Sequence, residues 1–233
     1  MSVFVYFGVT LVKLIILAAA LVAAAPAAAA TNLVVNGDFE SAPAPNGAFI
    51  QYSGGNTFPG WTVTGNDVLV IDESYNEGGL VFNAQGGSQN AIDLTGAGNT
   101  GPTDGIVQTI ATAAGQQYRL TFYVGNASPT GGNGSNYTQP STLNLSIDGG
   151  AVSTYTNAVN TPFGINFSKF SFLFTASGAT SLAFSNGTVG DNYLGLDTVS
   201  VTAVPEPATW GLMIAGFAMV GFAARRRNAA VAA

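Results

Sequence analysis

Cysteine and histidine are both absent from the 233 residues. That removes disulfides, thiolate nucleophiles, Ser-His-Asp and Cys-His catalysis, imidazole-ligated zinc and any histidine pH switch. Carboxylates, hydroxyls and amides are the chemistry that remains. Charge is also scarce: 8% of the chain is Asp, Glu, Lys or Arg, while glycine reaches 30 residues. This composition is far from charge-rich disorder and from long helices, and favours an extended, turn-rich polypeptide. Basic residues are scarcest of all. Between residues 31 and 204 only Arg119 and Lys169 are basic, against eleven acids, for a net charge of −9. A surface of that sign repels phosphate backbones and excludes nucleic-acid binding.

Two apolar stretches occupy the ends. Residues 14 to 25 (LIILAAALVAAA) follow Lys13, and Pro26 is followed by Ala27 to Ala30, the small-x-small pattern of a signal-peptidase site. Residues 1–30 are therefore expected to be a signal peptide, an N-terminal signal helix cleaved near Ala30. The weakly charged front end, Ser2 to Val12, leaves an uncleaved N-terminal anchor as the alternative. At the other end, Ala208 to Ala224 lies between Pro205-Glu206-Pro207 and the basic run Arg225, Arg226 and Arg227. As a helix it would span roughly 25 Å, a marginal transmembrane helix whose arginines stop the chain and stay cytoplasmic. Gly211, Gly216 and Gly221 recur at steps of five, which does not meet the close-packing dimer pattern.

The segment VPEPATWGLMIAGFAMVGFAARRR closely resembles the PEP-CTERM sorting signal of Gram-negative bacteria that make extracellular polysaccharide. In that family the Pro-Glu-Pro motif, short span and basic tail are read by an integral-membrane cysteine transpeptidase, exosortase. The resemblance implies that residues 204–233 are a sorting signal processed near Pro205, Glu206 and Pro207. The inner membrane would be a transient host, with the cell surface or extracellular matrix as destination. The chain would be that enzyme's substrate and not the enzyme; a plain membrane tail is the alternative.

Between the ends, hydrophobic residues alternate with period two, the mark of half-buried strands. Tyr118, Leu120, Phe122 and Val124 share one face, with Arg119, Thr121 and Tyr123 opposite. Leu143, Leu145 and Ile147 repeat the pattern, as do Phe170, Phe172 and Phe174, then Leu182 and Phe184. Further strands are expected at Trp61 to Thr64, Val68 to Ile71, Ala91 to Leu94 and Ile106 to Ile110. Gly54-Gly55, Gly78-Gly79, Gly86-Gly87, Asp148-Gly149-Gly150 and Asn186-Gly187 punctuate these runs with turn chemistry. Many short strands so separated predict an all-β antiparallel sandwich. The last strand breaks phase: Leu194 and Leu196 are even, Val199 and Val201 odd, so a bulge is needed to bury all four. Residues 125 to 140 show no apolar period and read as a long loop.

NLVVNGDFE, GWTV, SQNAIDLTG, IVQTIATAAGQQYRLTFYVGNA and LGLDTVSV, in that order, resemble secreted bacterial jelly rolls of the galactose-binding-like, carbohydrate-binding-module-like kind. The resemblance implies a jelly-roll β-sandwich over residues 31–203, with the NGDFE strand beside the LDTVSV strand. It also implies a structural calcium held by an acid of the first strand and one of the last. The matching positions are Glu40 and Asp197, with Asp38 a weaker candidate; turn chemistry is the other explanation of Asp38, and acceptance of backbone hydrogen bonds at the bulge that of Asp197. An oxygen-rich, thiol-free chain suits such a hard cation.

Sugar binding needs aromatic faces with polar groups nearby. The candidates are Trp61, which opens an alternating strand and could equally be core, Tyr75 in IDESYNEGG, and Tyr137 in the long loop. Asp72, Glu73 and Glu77 keep carboxylate-dependent glycoside hydrolysis open. The expected function is non-catalytic: an exported carbohydrate-binding or exopolysaccharide- and biofilm-associated module, with a purely structural matrix protein as the rival.

Overall fold

The computed structural model of the chain describes residues 31–41, 43–97, 103–128, 137, 139–159, 162–188, 192–204, 211 and 214–219. The expected signal helix, the sorting residues Pro205, Glu206 and Pro207, and the basic residues Arg225, Arg226 and Arg227 lie outside the described residues. The chain divides into two compact units, Met1–Thr31 and Asn32–Ala233. Residues 214–219 are helical, and among the described residues no helix is long and apolar enough to cross a membrane.

The second unit is built from strands β1 (Phe49–Ser53), β2 (Thr57–Phe58), β3 (Trp61–Thr64), β4 (Asp67–Asp72), β5 (Asn76–Glu77), β6 (Leu80–Val81) and β7 (Asn90–Asp93). They are followed by β8 (Gly105–Ile110), β9 (Gln117–Ser128), β10 (Ser141–Ile147), β11 (Ser153–Asn157), β12 (Gly164–Thr175), β13 (Thr180–Asn186) and β14 (Gly195–Ala203). A first six-stranded sheet runs β1-β4-β7-β14-β9-β12 and a second β11-β10-β13-β8-β3-β2, while β5 and β6 form a separate hairpin. All pairings are antiparallel. The two sheets form a jelly-roll-like β-sandwich, the all-β antiparallel fold the alternation predicts.

Period two decides what goes between the sheets. Val68, Val70, Ile92, Leu120, Phe122, Val124 and Leu196 come from the first sheet, and Val63, Ile106, Leu143, Leu145, Leu182 and Phe184 from the second, into one core. Phe122 stacks on Phe170 with centroids 5.9 Å apart and meets Phe184 edge-on at 5.5 Å. Each such buried side chain is worth roughly 1.5–3 kcal/mol over leaving it in water. The predicted phase break is present: the β14–β9 register shifts between Asp197 and Ser200, with Thr198 at φ 51°. Leu194, Leu196, Val199 and Val201 are consequently all buried.

Two expectations need correction. NGDFE does lie beside the last strand, but as turns and not as a strand. Leu33 N donates to Val201 O at 2.9 Å and Val199 N donates to Gly37 O at 2.8 Å. Between these contacts the chain folds back through Asn36 at φ 52° and Phe39 at φ 61°. A positive φ is costly for a phenylalanine; burial of its ring against Trp61, 5.9 Å away, holds it there. Nor does the long loop expected over 125 to 140 begin at 125; its residues 129–136 and 138 lie outside the described residues. β9 continues to Ser128 because Gly125 to Ser128 pair with Gly164 to Phe167 of β12. Period two was hidden there because this stretch is buried on both faces, with Asn126 accepting from Ser141 N and Oγ.

A Cβ added at Gly37 would lie 2.0 Å from Val199 O. Gly37→Ala is therefore expected to destabilise the chain by about 1–3 kcal/mol, read as a lower urea midpoint; an unchanged midpoint would show that this turn is not seated on β14.

Candidate functional site

The first sheet is covered on its inner face and on part of its outer one. Its inward residues fill the main core, and its outward residues, among them Leu69 and Ile71 of β4, Ala127 of β9 and Ile165 of β12, form a second apolar cluster with Leu80, Phe82 and Tyr193. The β5–β6 hairpin supplies part of that cover. Gly78 at φ 58° and Gly79 at φ 94° allow its two-residue turn, and Phe82 N donates to Tyr75 O at 2.9 Å. Asp72 braces the approach to the hairpin, accepting from Gly47 N at 2.9 Å, from Ser74 N at 3.0 Å and from Ser74 Oγ. Burial works to raise its pKa, but these three donors outweigh it and the carboxyl sits below its ordinary value.

Phe82 is consequently the centre of an aromatic group. Its ring lies 5.3 Å from Tyr75, 6.0 Å from Tyr137 and 5.2 Å from Tyr193. Beside it is a cavity of about 250 Å³, floored by Leu69 and Ile71 and walled by Tyr75, Glu77, Phe82, Asp93, Tyr137 and Asn192. That is smaller than the ~300–1,000 Å³ of sites for drug-sized ligands, so it takes a single small unit. Tyr137 Oη donates to Glu77 Oε2 at 3.1 Å across the wall. Burial and the nearby Glu77 charge raise the Tyr75 hydroxyl above its ordinary pKa.

Two buried polar residues give the cavity its chemistry. Asn192, 1% exposed, donates from Nδ2 to Gln139 O at 2.9 Å, and its Oδ1 has no partner among the described residues. Buried polar atoms are rarely left so. Asp93, 6% exposed, accepts at Oδ1 from Thr95 N at 2.9 Å, Thr95 Oγ1 at 2.7 Å and Leu194 N at 3.2 Å. Among the described residues no donor reaches its Oδ2. Burial pushes the Asp93 carboxyl up to about 7, against those donors and with help from the Asp67 charge. Tyr193 is raised well above its ordinary value, by burial first and then by the charges of Asp93 and Asp197.

The sequence candidates fall in three places. Tyr75 and Tyr137 come to the walls of this one cavity, and Glu77 joins them. Trp61 does not, and as a sugar platform it is a correction. It is 2% exposed on the second sheet, packed on Phe39 and Phe184, with Nε1 donating to Asn36 O at 2.9 Å. A core position satisfies both its ring and its N–H. Asp93, Phe82 and Asn192 were not singled out from the sequence. An acid within the apolar alternation of AIDL was the one available sign, since a strand rarely buries a carboxylate without reason.

The metal candidates gather at the turn joining β6 to β7. Glu40 Oε1 accepts from Gln89 N and Asn90 N, both at 2.8 Å, and Oε2 from Asn90 Nδ2 at 3.0 Å. Asp197 Oδ2 accepts from Gln85 N at 2.9 Å, and Oδ1 from Thr198 N at 2.5 Å. Asp197 is fully buried, and burial, opposed by these donors and reinforced by the Glu40 charge, raises its carboxyl to about 7. Two acids near enough for one charge to act on the other, with no base beside them among the described residues, are a donor pair that a hard cation fits, since each carboxylate has lone-pair sites beyond those used. Asp38 does not join them: it is exposed, and Glu40 N approaches its Oδ1 only at 3.5 Å. Among the described residues no three acid side chains converge as a metal group.

Comparison with known proteins gives two family matches. The model described as "Protein of unknown function (DUF642)" matches residues 32–201, and the PEP-CTERM protein-sorting motif matches residues 203–227. No curated protein matches the chain. Among solved structures, an exo-β-1,3-galactanase from Phanerochaete chrysosporium aligns at 16% identity and TM-score 0.38, over 66% of this chain and 29% of that one. The chain thus spans under a third of that enzyme's length. A CBM4 structure aligns at 15% identity and TM-score 0.37, over 73% of this chain and 99% of that one. A family 35 carbohydrate binding module from Clostridium thermocellum aligns at 15% and 0.37, over 62% and 93%. Likenesses this loose carry no argument about this chain.

The folded pKa of Asp93, about 7, lies above its ordinary value of 3.8. Over that interval the folded chain keeps a proton that the unfolded chain has released, so this contribution is complete below pH ~4 and is lost as pH rises through ~7. The loss is at most about 4 kcal/mol at ~1.36 kcal/mol per unit. The urea midpoint is expected to be higher at pH 5 than at pH 8, with a smaller difference in Asp93→Asn; an equal difference in the variant would rule Asp93 out as a source.

Proposed function

Because the chain belongs to the family described as protein of unknown function (DUF642) and carries the PEP-CTERM motif of a secreted protein held transiently in the membrane, we propose that it is a non-catalytic carbohydrate-binding module. On this reading exosortase processes it at Pro205, Glu206 and Pro207 and delivers it to the cell surface or polysaccharide matrix. The observation that carries the reading is the cavity: aromatic walls for the C–H faces of a sugar, beside the carboxyl groups of Asp93 and Glu77. Retention on a glycan array by the full chain in detergent, lost or cut about tenfold or more in Tyr75→Ala, is the expected result. A chain that retains no glycan would instead be a structural matrix component.

One observation favours glycoside hydrolysis as a second reading. Asp93, raised to about 7, and Glu77 share the cavity, and a pair of carboxyl groups at one site is what such enzymes use. Release of reducing ends, abolished in Glu77→Gln, would establish it.

Calcium belongs to the same proposal. Glu40 and Asp197 would hold it where they grip the turn between β6 and β7, and its charge would neutralise the buried Asp197. Chelation is expected to lower the Tm of the full chain by several degrees, of order 1 kcal/mol or more, and Glu40→Ala to remove the chelator's effect. Identical melting with and without chelator would eliminate the ion.

A further inference from the structure

We propose that the cavity on the outer face of the first sheet recognises a protonated amine, as carried by the amino sugars of a deacetylated glycan. This rests on the carbohydrate-binding reading and narrows it to one charge class.

The argument is a balance of donors and acceptors. Asn192 Oδ1, closed off from solvent, has no partner among the described residues, and the orientation of the amide is fixed because Gln139 O, which can only accept, takes the Nδ2 hydrogen. Asp93 Oδ2 receives no donor among the described residues, and Glu77 is exposed with a carboxylate that Tyr137 only partly occupies. Against these acceptors the side-chain donors are nearly spent: Tyr137 gives its hydrogen to Glu77 and Asn192 gives Nδ2 to Gln139. Tyr75 alone among the polar walls is uncommitted. A sugar hydroxyl both donates and accepts, and an N-acetyl group adds a carbonyl, so either brings acceptors to a site already rich in them. An ammonium brings three donors and no acceptor.

Charge points the same way. Among the described residues two carboxyl groups line the cavity and no base does. The two basic residues of the domain are engaged elsewhere, Arg119 Nη1 with Ser171 Oγ at 3.4 Å and Lys169 Nζ over the Tyr123 ring at 5.7 Å. An amine would supply the counter-charge that the buried Asp93 lacks and draw its carboxyl into the ionised form, and the faces of Tyr75, Phe82 and Tyr137 favour a cation further. A metal ion is the poorer occupant, because the aromatic walls withhold the six to eight oxygens that calcium seeks.

The test is calorimetric titration of the full chain in detergent, with calcium held constant, against β-1,4- and β-1,6-linked glucosamine tetramers and their fully N-acetylated counterparts. The expected result is a preference of about tenfold or more for an amine over its acetylated partner, reduced to under about threefold by Glu77→Gln, an exposed position where folding is not at stake, and likewise by Asp93→Asn. Equal or tighter binding of the acetylated forms, or a preference untouched in both variants, overturns the amine assignment. Binding of neutral glycans alone on the array overturns it too, while leaving the carbohydrate-binding reading intact. If no glycan of any kind binds, both readings fall.

Discussion

Buried and half-buried carboxylates in this protein are held by backbone N–H groups, a consequence of having two cations for eleven acids between residues 31 and 204. Without ion pairs to make, an acid here either stays in water or finds a turn whose amides point at it. Asp104 takes Asn66 N at 2.6 Å and Asp67 takes Ala97 N at 2.7 Å, and even the exposed Asp148 takes Ser181 N at 2.7 Å. Asp72, Glu40 and Asp197 act in the same way on the segments around residues 47, 74, 85 and 90. Each such contact satisfies a loop amide that would otherwise be orphaned, so the acids that look like surface charge in the sequence are fasteners of the connections between strands.

That constraint shapes the site. Asp72 braces the segment carrying Tyr75 and the β5–β6 hairpin, and this hairpin carries Phe82 into the middle of three tyrosines. The first sheet must then be apolar on both faces where this cover lies, which is why β4 is buried along nearly its whole length while β10 of the second sheet keeps clean alternation. Asp93 is the carboxylate least completely fastened: one oxygen holds three donors and the other faces the cavity. Desolvation without neutralisation is expensive, and a ligand that brings charge or donors recovers it. The proposed binding function and the acid-dependent stability share this cause.

Neither the sorting signal nor the sandwich required tertiary information, for different reasons. The sorting signal is local: Pro205-Glu206-Pro207, an apolar span and three arginines follow one another within about thirty residues, and a linear motif is read by a partner as a linear motif. Strand alternation is likewise local, and it placed Leu120, Phe122, Leu143 and Phe184 in the core and required the bulge that appears at Asp197–Ser200. It failed where both faces are buried, at Gly125 to Ser128, because period two vanishes when there is no solvent side. It also missed that the NGDFE segment turns where a strand was expected, since its pairing partner is a bulged strand more than 150 residues away.

What composition and pattern determined, then, is an exported, acid-rich, all-β domain with no thiol or imidazole chemistry. What only the tertiary structure decided is which residues share a site. Tyr75 and Tyr137 meet because a hairpin and a distant loop both lean on Phe82, and Asn192 and Asp93 join them through the β7–β14 pairing. Trp61 left the candidate set because its ring and its N–H are both satisfied inside. Desolvation and an unmet hydrogen bond are properties of surroundings, and surroundings in a sandwich come from strands far apart in the chain.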